Sequence, residues 1–161
     1  MMGLLLSSGT FIHCRAAITS VAGLLMFALV HPANADQTSI IGLWKTIDDI
    51  TGKPRGLVRI YESDGEFVGK IERGLAAQDD PSAICTKCTD ARKNQPFVGM
   101  VILSGLRKEG DEYIDGEILD PDSGRVYRAR ARIENDGNQL DLRGYIGIEL
   151  FGRSQVWTRE E

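Results

Sequence analysis

Histidine is nearly absent from this 161-residue chain, and the two present, His13 and His31, both fall within its first 35 residues. The same stretch holds Cys14, one of only three cysteines. It is laid out as an export signal: Arg15 is a positive n-region, residues 16–30 form an apolar h-region, and Ala33-Asn34-Ala35 supplies a small-x-small cleavage pattern. Cleavage there makes Asp36 the mature start and leaves Cys85 and Cys88 as the remaining cysteines. A chain without histidine cannot assemble a Ser-His-Asp triad, a Cys-His pair or an imidazole metal site. An uncleaved signal acting as a membrane anchor is the alternative, although an h-region of about 15 residues is short for a span.

Other absences narrow the field further. No second apolar run is long enough to cross a bilayer, so the processed protein is expected to be soluble. The residue after the cut is Asp36 rather than cysteine, which argues against a lipid-anchored lipoprotein. Lys and Arg number 19 against 23 Asp and Glu; without Arg15 the balance is 18 to 23, about −5. A mildly acidic domain argues against non-specific binding to nucleic acid or anionic lipid, either of which needs clustered positive charge. The expected address is periplasmic or secreted, where disulfides persist. Residues 36–161 number about 126, enough for one domain with a single core.

What remains is strand pattern. Helical periodicity is scarce, whereas period-two alternation recurs between turn signals. Strands are expected over 40–47, 57–62, 67–72, 97–106, 112–119, 125–134, 140–145 and 155–159. Asp64-Gly65, Glu109-Gly110, Pro121-Asp122-Ser123-Gly124 and Asn135-Asp136-Gly137-Asn138 supply turns between them. Eight short, evenly spaced strands predict an all-β fold, an antiparallel meander closing into a barrel that leaves no free edge. In the strand over 125–134, Tyr127, Ala129, Ala131 and Ile133 share one face and Arg128, Arg130 and Arg132 the other. The small alanines, if inward, leave room in the barrel. The segment 74–95 breaks the rhythm, and a short helix over 82–87 is expected within it, a lid on one barrel end.

Three stretches resemble one known family. Ile118-Leu119-Asp120-Pro121-Asp122-Ser123-Gly124-Arg125-Val126-Tyr127 matches its Asp-Pro-x-x-Gly turn, residues 142–159 match its tail, and Gly42-Leu43-Trp44 matches its opening. The group is the small secreted bacterial domain of unknown function 2147, which is similar to lipocalin-like barrels. The resemblance spans about 41–159 and implies a barrel, but no activity, substrate or cofactor. Many members carry cysteines near the second and third strands, where this chain has Tyr61 and Phe67. Their disulfide therefore does not transfer. By the same resemblance, Trp44 on the first strand and Arg159 on the last are expected to stack and close one end.

Cys85-Thr86-Lys87-Cys88 leaves three readings open: a disulfide pinning the loop, a redox pair, or half of a metal site. The structural disulfide is favoured, because the strand-helix setting of redox pairs is missing and Asp79, Asp80 and Asp90 oppose a thiolate. The arginine stripe reads as a solvated outer face. The acidic pairs Asp48-Asp49, Asp79-Asp80 and Glu117 with Asp120 have no apolar setting that would make one a catalytic pair. The apolar tail loop, with Gly144, Gly147 and Gly152 around Tyr145, Ile146, Ile148, Leu150 and Phe151, is expected to fold in as an end plug. Tyr145, Arg153 and Trp157 are then the residues nearest the barrel mouth. The sequence points to a non-enzymatic module for a small hydrophobic or amphipathic ligand, with no cofactor. A thiol-disulfide protein acting through Cys85 and Cys88 is the alternative, and a protein-partner module a third reading.

Overall fold

The alternating segments become eight antiparallel strands in a computed structural model that describes residues 38–48, 51–75 and 80–161; the expected signal over 1–35 lies outside them. The strands are β1 Gly42–Ile47, β2 Pro54–Ser63, β3 Glu66–Gly74, β4 Val101–Glu109, β5 Glu112–Asp120, β6 Arg125–Glu134, β7 Gln139–Tyr145 and β8 Gly152–Arg159. Each pairs with its sequence neighbour, and β8 returns to β1, so the sheet is a closed barrel. Among the described residues no helix is long and apolar enough to cross a membrane.

Turn chemistry sets the corners. Asp64 and Gly65 both adopt positive φ, 54° and 80°, the torsions of a two-residue hairpin whose twist matches its strands. At the β5–β6 corner the Asp120 carboxylate accepts from the Asp122 N–H at 3.0 Å and the Ser123 hydroxyl at 2.7 Å. The Gly124 N–H closes the same turn on the Asp120 carbonyl at 2.8 Å. Closure is thinner than any hairpin: β1 and β8 share only Trp44↔Arg159 and Lys45↔Thr158.

Alternation sends one side chain in two inward, and those side chains fill the barrel. Trp44, Ile60, Leu103, Leu106, Tyr113, Leu140 and Trp157 are essentially without solvent contact. Phe67 meets Tyr113 edge to face, with ring centroids 5.0 Å apart. Ala129 and Ala131 face inward on β6, but the space beside them belongs to this packed core.

Two loops depart from expectation. No helix forms over 82–87. The Asp80 carboxylate instead binds the Ser82 N–H at 2.8 Å and its hydroxyl at 2.7 Å, the Cys85 N–H donates to the Gln95 carbonyl, and the Asn94 N–H donates to the Cys85 carbonyl. These cross-loop bonds use the backbone groups a helix would need. The loop also takes Phe97, expected in a strand, because Met100 turns back on the Phe97 carbonyl and β4 starts only at Val101. The tail loop is not an end plug: Ile146, Ile148, Leu150 and Phe151 are 60%, 60%, 78% and 74% exposed. Arg143 donates from Nη2 to the Glu149 carbonyl at 2.6 Å, and Arg130 donates to the Glu149 carboxylate at 2.6 Å. Both arginines lie on the outer wall, so they fold the loop back over it.

Candidate functional site: the barrel mouth and its two loops

The two ends of the barrel are built differently. At the end holding the β2–β3, β4–β5 and β6–β7 turns, Arg159 lies over the Trp44 ring, 4.2 Å from its centroid. Its guanidinium also donates to the carbonyls of Gly137 at 2.5 Å, Ile41 at 2.8 Å and Ser39 at 2.6 Å. The Trp44 indole N–H donates to the Ile40 carbonyl at 2.8 Å, and the Ile40 N–H donates to the Tyr113 hydroxyl at 3.0 Å. Indole, guanidinium and phenol thus tie the incoming segment, β1 and β8 together. This end is sealed.

At the other end, the mouth, the inward positions are only half buried. Ile71 on β3, Ile118 on β5, Tyr127 on β6, Gly144 on β7 and Gln155 on β8 occupy them. Ile118 and Tyr127 pair directly across β5 and β6. A methyl placed on Gly144 would lie 3.5 Å from Ile118 and 3.6 Å from Tyr127, so these three inward positions adjoin one another. Trp157, the next inward position along β8 from Gln155, is 1% exposed, with its indole N–H on the Gln155 amide oxygen at 3.1 Å. Arg153 is exposed at the rim on the same face of β8 as Gln155 and Trp157. Tyr145 stands apart, one position beyond Gly144 on the outward face and opposite Arg128. Alternation in the sequence puts Tyr127 on one face of β6 with Ala129 and Ala131 but does not connect it with Ile118 and Gly144, which come from neighbouring strands.

Cys85 and Cys88 form a disulfide with Cα atoms 5.5 Å apart, and both residues have no solvent exposure. The Cys88 N–H points at the Cys85 sulfur at 3.2 Å. The loop carrying them is not a lid. Ile102 and Leu119 lie on the strand faces opposite Leu103 and Ile118, and yet they are 6% and 1% exposed and join the disulfide in one apolar cluster. The loop therefore covers the outer wall of β4 and β5. It is seated on the β5–β6 corner, where Lys87 Nζ donates to the Asp122 carbonyl at 2.7 Å and Arg55 pairs with the Asp122 carboxylate at 3.0 Å. Arg92, through its guanidinium and then its N–H, holds the Asp90 carboxyl down to about 2. The same guanidinium reaches the Val101 carbonyl at 3.3 Å, pinning the loop to β4.

A buried disulfide offers neither a thiolate to a metal nor an exposed sulfur to an attacking thiol. Changing both cysteines to alanine is expected to lower stability by about 2 kcal/mol, since the bridge closes so short a ring. Urea unfolding measures this, and the folded wild type should resist alkylation in mild reductant. Rapid labelling of both sulfurs would show instead that the pair is reachable. Among the described residues no three His, Cys, Asp or Glu side chains converge to hold a metal ion.

The outer wall carries the arginine stripe. Arg130 bridges Glu112 and Glu149, and Arg132 pairs with Glu134 at 3.3 Å. An open depression of about 510 Å3 lies among Glu109, Asp111, Glu112, Ile114, Arg130, Arg132 and Glu149. Both of its arginines are already paired, and Glu109 and Asp111 leave it acidic. Of the acidic pairs noted in the sequence, Asp49 and Asp79 lie outside the described residues, and Asp120 is engaged in its own turn.

An up-and-down barrel of eight strands, sealed at one end by stacked tryptophan and arginine, is a lipocalin-like fold. Protein HP1028 from the human pathogen Helicobacter pylori, described as belonging to the lipocalin family, shares the fold with a TM-score of 0.66 at 19% identity, over 76% of this chain and 84% of its own. The family described as "Uncharacterized protein conserved in bacteria (DUF2147)" matches residues 42–159, and the chain belongs to it. No curated protein matches the chain.

Proposed function

We propose that this protein is an exported, non-enzymatic binding module of the cell envelope whose barrel mouth takes the apolar part of one small amphipathic molecule. The reading is carried by the change of packing along the barrel axis. Leu103, Leu140 and Trp157 are closed from solvent, while the inward side chains next to them, Ile71, Ile118 and Tyr127, are half exposed. Inward apolar groups left partly wet are what a ligand would cover. Arg153 at the rim and Gln155 just inside suit a polar or anionic head group.

Only a few inward side chains at the mouth are partly wet, so the ligand is small and its binding modest. Covering roughly 200 Å2 of apolar surface gives about 5 kcal/mol, much of it offset by the entropy of association. Export rests on the pattern of residues 1–35, and a non-enzymatic role on the missing histidine and the unreactive disulfide.

Native mass spectrometry of protein isolated from its own cell envelope tests these points together. The expected spectrum has a chain starting at Asp36, an oxidised cysteine pair and a bound small molecule. An apo mass alone would defeat the binder, and a mass retaining residues 1–35 would defeat the processing. A matched variant sharpens the test. Gly144→Val puts methyl groups against Ile118 and Tyr127, and should hold or raise stability by about 0.5 kcal/mol, since glycine is a poor strand residue. The adduct should then disappear. Retention of the adduct by a folded Gly144→Val protein would place the ligand elsewhere.

A further inference from the structure

Among the described residues, seven of the nine large apolar side chains that are well exposed lie on strands and loops of the mouth end. Ile84 and Val98 are on the disulfide loop, Val126 is at the start of β6, and Ile146, Ile148, Leu150 and Phe151 are on the tail loop. The last four stand on one six-residue connection, braced against the wall by Arg130 and Arg143. A loop this rich in exposed apolar surface is a contact site rather than scatter.

Charge is distributed to match. The three turns of the sealed end read Ser63-Asp64-Gly65-Glu66, Glu109-Gly110-Asp111-Glu112 and Glu134-Asn135-Asp136-Gly137, with seven acids and no base. Around the mouth, Lys87, Lys93, Arg125, Arg128 and Arg153 are exposed. Of the acids there, Asp90 pairs with Arg92, Asp122 with Arg55 and Glu149 with Arg130, while Asp48, Asp80 and Asp120 bind turn donors; of the seven sealed-end acids, Glu66, Glu112 and Glu134 also pair with arginines. The molecule is therefore polar along its axis, apolar with exposed bases among acids at the mouth and more acidic at the sealed end.

We infer that the mouth end docks on an anionic lipid surface, with the tail loop dipping into the interface. An anionic surface attracts the basic rim and repels the acidic end, which fixes orientation. Four side chains on one turn fall well short of the roughly 800 Å2 per partner of a standard protein interface, yet such a number suffices to seat a loop among lipid head groups. The inference does not depend on the mouth holding a ligand.

The test uses the full chain with a local reporter, so that residues 1–35 cannot supply the signal. Phe151→Trp places an indole on the loop, Asp111→Trp places one at the sealed end, and Trp44 and Trp157 are buried in both. Vesicles of phosphatidylethanolamine with a minority of phosphatidylglycerol, with and without brominated chains, are titrated in. The expected result is a blue shift and bromine quenching for Phe151→Trp, weakened by salt, and no change for Asp111→Trp. Adding Ile146→Ser, Ile148→Ser and Leu150→Ser to the loop reporter should weaken the effect by about tenfold per side chain inserted. These exposed positions should leave the fold intact, which circular dichroism checks. No quenching at the loop, or equal quenching at both ends, overturns the inference. So does a concentration-dependent blue shift without lipid, which would make the loop a contact between protein molecules.

Discussion

Arg159→Leu is expected to lower stability by roughly 3–5 kcal/mol, the largest single-residue effect away from the packed interior. Three backbone carbonyls, those of Ser39, Ile41 and Gly137, accept from this guanidinium, and its plane covers the Trp44 ring. A hydrogen bond to a charged group contributes about 1.5–3 kcal/mol, and carbonyls left partly buried without a donor add to the loss. The location magnifies it, because β1 and β8 meet over two residue pairs only. Arg159→Lys keeps the charge but loses the flat fork and should recover less than half of the deficit. Urea unfolding of both variants measures this, and an Arg159→Leu midpoint close to wild type would show that the seam holds without the arginine.

Gly124→Ala should cost roughly 2–4 kcal/mol and loosen the disulfide loop. Gly124 has φ of 74°, and a Cβ there would run into the Lys87 carbonyl group. Two separate costs combine, left-handed backbone strain and a collision with main chain that cannot rotate away. Gly124→Asn separates them, since asparagine tolerates the left-handed region but still carries a Cβ. If the seat of the loop is the cause, asparagine is as damaging as alanine. Both variants should also expose Cys85 and Cys88, so that dithiothreitol reduces the pair many-fold faster than in the wild type. A stability loss that asparagine repairs, with no change in reduction, would assign the whole effect to backbone strain.

The sealed end, the mouth and the corner under the disulfide loop were legible in the sequence to different degrees. Trp44 and Arg159 were paired beforehand only through resemblance; nothing local to either residue announces that they meet 115 positions apart in register. Tyr127, Ala129 and Ala131 were assigned to one face of β6 by alternation, and two of them are fully buried there. Ile118 and Gly144 were missed as mouth positions, since an isoleucine before a turn and a glycine in a strand carry no signal of their own. The Asp-Pro-x-x-Gly corner was recognised as a motif without its second duty, because Lys87, which explains Gly124, arrives from a loop 35 residues away from Asp122.

Strand positions and corners were settled by the chain itself: alternation of side chains and the torsions of Asp64-Gly65 or Gly124 are properties of a few neighbouring residues, and eight such strands in series have one simple way to cover their edges. The courses of the two irregular loops were decided only in three dimensions. An apolar segment such as 146–151 looks like material for a core, but the core was already filled, and Arg130 and Arg143 offered Glu149 better partners on the outer wall than the interior could. Burial depends on what space other strands leave, and hydrogen-bond partners on what they bring near; neither quantity exists until the barrel has closed.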